Sequence, residues 1–232
     1  MKLLKNLFKQ KNSGLQNSNL EVGKKKSSAA DFRVKFRKNF IPFLKKDNWK
    51  GSGFKFYKQT ENETVYLLQV VPEKDGSGFS IALAIHFDFI TYRFADNIKD
   101  YSHSGLDIRG GLPTNSKIYE YPITDSETNQ LFNKLKVELD KAYSDFFNKL
   151  GNWQEYYNKF TPQEIERKDR ELDNITNSRL ALLCARIFNH TDNYKKSLEM
   201  AEYGLTTINY PTGNGSALYP EFTRIIQAAN NV

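Results

Sequence analysis

Polar and apolar positions change their period several times along this 232-residue chain. In residues 1–12, Leu3, Leu4, Leu7 and Phe8 share one helical face, and Lys2, Lys5, Lys9 and Lys11 surround it. Such a segment can lie on an anionic membrane surface. Residues 12–28 hold Asn, Ser, Gly and the run Lys24-Lys25-Lys26, the composition of a flexible linker. From about Ala29 the pattern becomes helical, with Phe32, Phe36, Phe40 and Leu44 at four-residue spacing. Pro42 lies inside that helix and should end or kink it. Trp49-Lys50-Gly51-Ser52-Gly53 reads as the turn that follows.

Strand-like segments come next. The first is about 53–59 and the second about 64–72, whose apolar run on both faces predicts a central position. Lys74-Asp75-Gly76-Ser77-Gly78 is a turn carrying the Asp-Gly signal. The third strand is about 79–89 and is two-faced: Phe79, Ile81, Leu83, Ile85, Phe87 and Phe89 alternate with Ser80, Ala82, Ala84, His86 and Asp88. Weaker patterns predict a fourth strand at about 105–112 and a fifth at about 117–121. The Phe32–Leu44 helix should cover one face of this sheet; spacing alone leaves open which one.

The rest reads as helix. Thr124-Asp125-Ser126-Glu127 is a capping box, and Leu131, Leu135, Leu139, Ala142, Phe146 and Leu150 keep a helical period up to Gly151. Thr161-Pro162-Gln163-Glu164 opens a helix expected to run to about Asn189, with an interruption near Asn174–Asn177. Another spans about 193–208, and Phe222, Ile225 and Ile226 mark a last short helix after a Pro/Gly loop. The expected fold is α+β: an N-terminal helix packed on a short antiparallel sheet of about four or five strands, followed by a helical C-terminal half. The expected organisation is a basic flexible tail at 1–28, a helix-plus-sheet domain at 29–123 and a helical region at 124–232.

Aromatic residues make up 14% of the chain, which favours a packed core over disorder. The net charge of +7 is uneven: residues 1–50 carry 14 Lys/Arg against three acids, while the other residues carry 20 against 24. The basic balance therefore belongs to the start of the chain, and a uniformly basic nucleic-acid surface is not expected. The single cysteine, Cys184, allows no internal disulfide and sits in an apolar run. No apolar stretch has the length of a membrane span, and Lys5 and Asn6 break the only candidate signal-peptide core. A cytoplasmic location is expected.

Candidate chemistry is sparse. His86 and Asp88 share a strand face at i, i+2, and His103 or Asp107 can approach them to ligate a metal or poise a general base. A strand-end histidine bonded to an aspartate is the commoner outcome of that pattern. Asp107-Ile108-Arg109-Gly110-Gly111 offers a guanidinium and glycine amides to an anion, or a structural Arg–Asp pair. No metal motif, nucleophile elbow, P-loop or dinucleotide fingerprint is present, and no cofactor is implied. Trp153, Tyr156, Tyr157 and Phe160 are candidate interface anchors, or else packing between the two halves.

Three resemblances add to this reading. Phe43-Leu44-Lys45-Lys46, Gly53-Phe54-Lys55, Tyr57, Gln69, the alternating third strand and Arg109-Gly110-Gly111-Leu112 resemble a bacterial domain-of-unknown-function family over Phe40 to about Leu112. That resemblance implies an α+β fold without established activity, and action by protein–protein contact as in bacterial toxin-immunity loci. Leu180 to Leu205 resembles one tetratricopeptide-type hairpin through Tyr194, Ala201, Gly204 and Leu205, although an ordinary helix pair fits too. Lys50 to Tyr57 resembles the aromatic strand of RNA-recognition motifs, but Ser52 stands at one aromatic position and no βαβ unit precedes it. The leading expectation is a non-enzymatic, immunity-like interaction protein with an unidentified protein partner. The alternatives are a ligand binder or hydrolase-type enzyme using His86, Asp88, His103 and Arg109, and a peripheral membrane protein attached through residues 1–12.

Overall fold

The structure is a computed structural model and describes residues 28–91, 96–102, 105–106, 108–112, 118–167, 172, 175–208 and 217–230. The tail positions Leu3, Leu4, Leu7 and Phe8, together with His103 and Asp107, lie outside the described residues. The described chain is α+β, with one antiparallel sheet and several helices.

Helix α1 (Ala29–Asn39) starts at a capping box between Ser28 and Asp31, and α2 (Ile41–Lys46) follows after a break at Phe40. Pro42 sits in the first turn of α2, where its missing N–H costs nothing, so the helix restarts at the proline. The segment expected as a simple turn holds a short edge strand, β1 (Lys50–Ser52), which pairs with β2 (Lys55–Gln59). Gly53, at φ +64°, takes the first position of their two-residue turn, a conformation that strongly favours glycine there.

The sheet runs in the order β1-β2-β3-β4-β5, with β3 (Thr64–Pro72), β4 (Gly78–Phe87) and β5 (Ile108–Leu112). Strand β6 (Tyr119–Glu120) pairs with the start of β4. Strand β3 lies in the interior of the sheet, which accounts for its apolar run on both faces. Strand β4 ends at Phe87 rather than Phe89; the Ile90 amide donates to the Phe87 carbonyl and turns the chain out of the sheet.

On the large face, Phe79, Ile81, Leu83, Ile85 and Phe87 of β4 enter the main core. The Phe32 ring stacks on Phe79 at 4.2 Å, and Phe36 meets Phe54 edge-on at 5.8 Å. Helix α3 (Asp125–Ala142), opened by the Thr124–Glu127 capping box, brings Phe132 against Phe32, Phe36 and Phe40. The same apolar cluster continues through Phe147, Trp153, Leu180 and Phe188 to Phe222.

After Ala142 the straight helical period fails. Residues Tyr143–Asn148 form a π turn before α4 (Lys149–Gly151). The wider turn rotates the stripe, so Phe147 is fully buried against Tyr66 while Phe146 is half-buried against Gly110. Gly151 serves close approach rather than a left-handed cap, since a Cβ there would lie 2.9 Å from the Tyr66 ring. Helix α5 (Trp153–Tyr156), a 3-10 turn at Tyr157–Lys159 and α6 (Pro162–Glu166) follow. The helix expected to run to about Asn189 with an interruption near Asn174–Asn177 already stops at Glu166, where Arg167 is extended. Helix α7 (Asn177–His190) starts afresh under a Thr176 cap.

Helix α8 (Tyr194–Thr206) folds back beside α7, where Ser197 Oγ donates to the Ala185 carbonyl at 2.8 Å. Helix α9 (Tyr219–Asn230) closes the end of the core with Phe222. Among the described residues, no helix is long and apolar enough to cross a membrane.

Candidate functional site

The second face of the sheet carries the small residues of β4. Strand register aligns two rows across it: Ser52, Lys55, Gln69, Ala82 and Gly111, and next to them Lys50, Tyr57, Leu67, Ala84 and Arg109. Val65, Leu67, Ala84 and Leu106 form a small buried cluster there, with Ile98 and Tyr101 packed against it. Those last two residues come from the segment 96–102, which contains a 3-10 turn at Ile98–Asp100. Away from this cover the face opens: Gln69, Val71, Ser80 and Ala82 are half-exposed, and Ser52 and Gly111 are exposed.

The charge on this face is asymmetric. Lys50, Lys55 and Arg109 lie across its middle, while the acids Asp88 and Glu120 sit at its ends.

His86 also belongs to this face, paired with Val65 in the ladder. It is buried, and Tyr101 meets its ring edge-on at 5.0 Å. Burial pushes its pKa down to about 4; Asp88 and a hydrogen bond to the Ile90 backbone oppose the shift, and the Arg186 charge adds to it. The imidazole is therefore neutral near pH 7. Asp88 is exposed and accepts a hydrogen bond from Gln59 Nε2 at 3.0 Å. Among the described residues, no group of three or more His, Cys, Asp or Glu side chains is placed to hold a metal ion.

Arg109 and its glycines lie in β5, paired with β4. Gly110 makes room for Phe146, whose ring atoms would come within 2.9 Å of a Cβ there. This glycine is used for packing a strand under an aromatic ring, not for an anion-holding turn.

The aromatic quartet, read as interface anchors or else as packing between the two halves, is in the core. Trp153, Tyr156, Tyr157 and Phe160 are all buried. Trp153 Nε1 donates to the Asn62 carbonyl at 2.8 Å, and Tyr157 OH donates to the Leu150 carbonyl at 3.2 Å. Their polar atoms thus find partners inside the chain and the rings fill the junction between sheet and helices. Phe54 and Phe56 likewise point into the α1 side: Phe56 is fully buried, and the Arg33 guanidinium lies 4.9 Å over the Phe54 ring. Neither ring is presented for stacking a base. Cys184 is fully buried, and burial pushes its thiol well up, which leaves it unreactive.

One polar cluster escaped the sequence reading. Trp49 Nε1 donates to Tyr143 OH at 2.6 Å, Tyr143 OH donates to Asp47, and Lys58 Nζ donates to Asp47 at 2.8 Å. Partial burial disfavours the Asp47 carboxylate, but the hydrogen bonds from Lys58 and Tyr143 and the Lys58 charge hold its pKa below the usual range. Burial and the same carboxylate raise the Tyr143 pKa. The phenol therefore stays protonated and the lysine stays paired, so the set is a structural tie between α2, β2 and the π turn rather than an activated base. The residues are far apart in sequence, and only a precise fold could reveal them.

In comparisons with known proteins, no family model matches the chain, no curated protein matches it and no solved structure matches it.

Proposed function

We propose that this chain is a non-enzymatic interaction protein, immunity-like in the sense of the resemblance across Phe40 to Leu112, that docks a partner protein on the second face of its sheet. In this reading the N-terminal helix covers the large face and leaves the small-residue face to the partner. The observation that carries it is the half-open patch of Gln69, Val71, Ser80, Ala82 and Gly111, with Lys50, Lys55 and Arg109 across it. Small side chains on a flat sheet let another backbone approach closely, and the cations select a partner with an acidic surface.

Catalysis is less well supported. His86 is neutral and buried, and Asp88 is turned to Gln59.

The test is a photo-crosslinking amino acid placed at Ala82 and, separately, at Val137, an exposed residue of α3. The reading expects a discrete protein adduct from position 82, sensitive to Lys55→Glu, and none from position 137. No adduct at 82, or the same adducts from both positions, overturns it.

A further inference from the structure

A cleft of about 390 Å³ lies where the end of β4 meets α7 and α9. Cavities of roughly 300–1,000 Å³ accommodate small organic ligands. Apolar side chains of Ile90, Ile225 and Ala228 line part of it, and Arg186, Arg224 and Glu221 supply its charge. Both arginines donate to the same oxygen of Glu221, Arg186 at 3.1 Å and Arg224 at 2.7 Å. One carboxylate therefore faces two permanent cations, and each guanidinium spends one nitrogen on it. The remaining donors and a positive excess are left at the cleft. Asn189 adds a side-chain amide to the lining.

We propose that this cleft binds a small organic anion, a carboxylate or phosphate monoester on an apolar body. Arg186 and Arg224 hold the anionic head, and Ile90, Ile225 and Ala228 hold the body. Planar guanidinium groups suit both kinds of head, which they can engage through paired N–H donors. The cleft is formed by different residues from the sheet's second face, so this proposal does not depend on the docking reading.

The experiment titrates the full chain with benzoate, phenyl phosphate, inorganic phosphate and neutral benzamide at about 150 mM salt, where surface attraction is screened. Binding is followed by calorimetry and by NMR shifts of Ile225 and Ala228. Saturable binding of benzoate or phenyl phosphate is expected, with benzamide at least about tenfold weaker. The relative affinities of benzoate and phenyl phosphate identify which head the site prefers. Arg224→Gln alters a side chain that is 73% exposed, so the fold should survive. It should weaken binding about tenfold, and Ala228→Phe should abolish it by filling the cleft. The proposal is overturned if neither organic anion binds, if benzamide binds equally well, if inorganic phosphate binds as tightly as phenyl phosphate, or if Arg224→Gln changes nothing.

Discussion

The His190 imidazole lies flat on the Phe89 ring, with 3.9 Å between centroids and 4° between planes. Trp153 meets both rings edge-on, at 5.1 and 5.3 Å, and Glu63 Oε2 lies 3.0 Å from His190 Nε2. This stack fastens the chain leaving β4 to the end of α7. Phe89→Ala should therefore destabilise the whole protein, by about 2 kcal/mol for a half-buried aromatic ring. Urea unfolding followed by tryptophan fluorescence should give one transition with a lower midpoint. An unchanged midpoint would mean that the stack adds nothing.

Gly204 of α8 faces Phe222 of α9, and a Cβ at position 204 would lie 2.2 Å from the ring. An alanine is intrinsically better in a helix than glycine by about 1 kcal/mol. Overpacking of about 1–3 kcal/mol should outweigh that gain. Gly204→Ala is thus expected to lower the melting temperature, and Phe222→Leu in the same chain should restore part of the loss. A stabilised Gly204→Ala variant would contradict the tight α8–α9 approach.

His86 predicts a specific acid sensitivity. Its folded pKa of about 4 lies below the ordinary 6.5, so the unfolded chain binds the extra proton between those values. Stability is fully present above about pH 6.5 and falls as the pH drops toward 4, by on the order of 2–3 kcal/mol. His86→Gln should flatten the stability profile across that window. An NMR titration of the His86 ring gives the direct check; a midpoint near 6.5 would contradict the burial.

Asp47 acts in the same direction as His86, in a lower pH window. Its folded pKa is depressed, so its contribution is present above the unfolded value near 3.8 and is lost as pH falls through the folded value. Asp47→Asn should cost about 1 kcal/mol at neutral pH, a modest figure because the carboxylate is partly exposed. The difference from the parent should shrink below about pH 4. Equal loss at all pH values would mean that the charge of Asp47 is irrelevant to the tie.

Local signals in the sequence located much of this fold. The capping residues Thr124 and Thr161 mark real helix starts, and the alternation through β4 separates its two faces correctly. What escaped was set by contacts distant in sequence. The π turn at Tyr143–Asn148 answers to Tyr66 and Gly110, and no helical period contains that information. Trp153 and Tyr157 carry polar atoms suited to an interface, but carbonyls of their own chain satisfy those atoms. The cleft joins Arg186 to Glu221 and Arg224, from separate helices whose charges look like ordinary solvated faces in one dimension.

The most direct measurement is the affinity of the partner captured at position 82 for the parent chain and for Ala82→Arg. An arginine there projects from a half-exposed sheet position and should leave the melting temperature within a few degrees. The account predicts that binding weakens by at least about tenfold while the fold is kept. Unchanged affinity in a folded Ala82→Arg chain would contradict docking on this face.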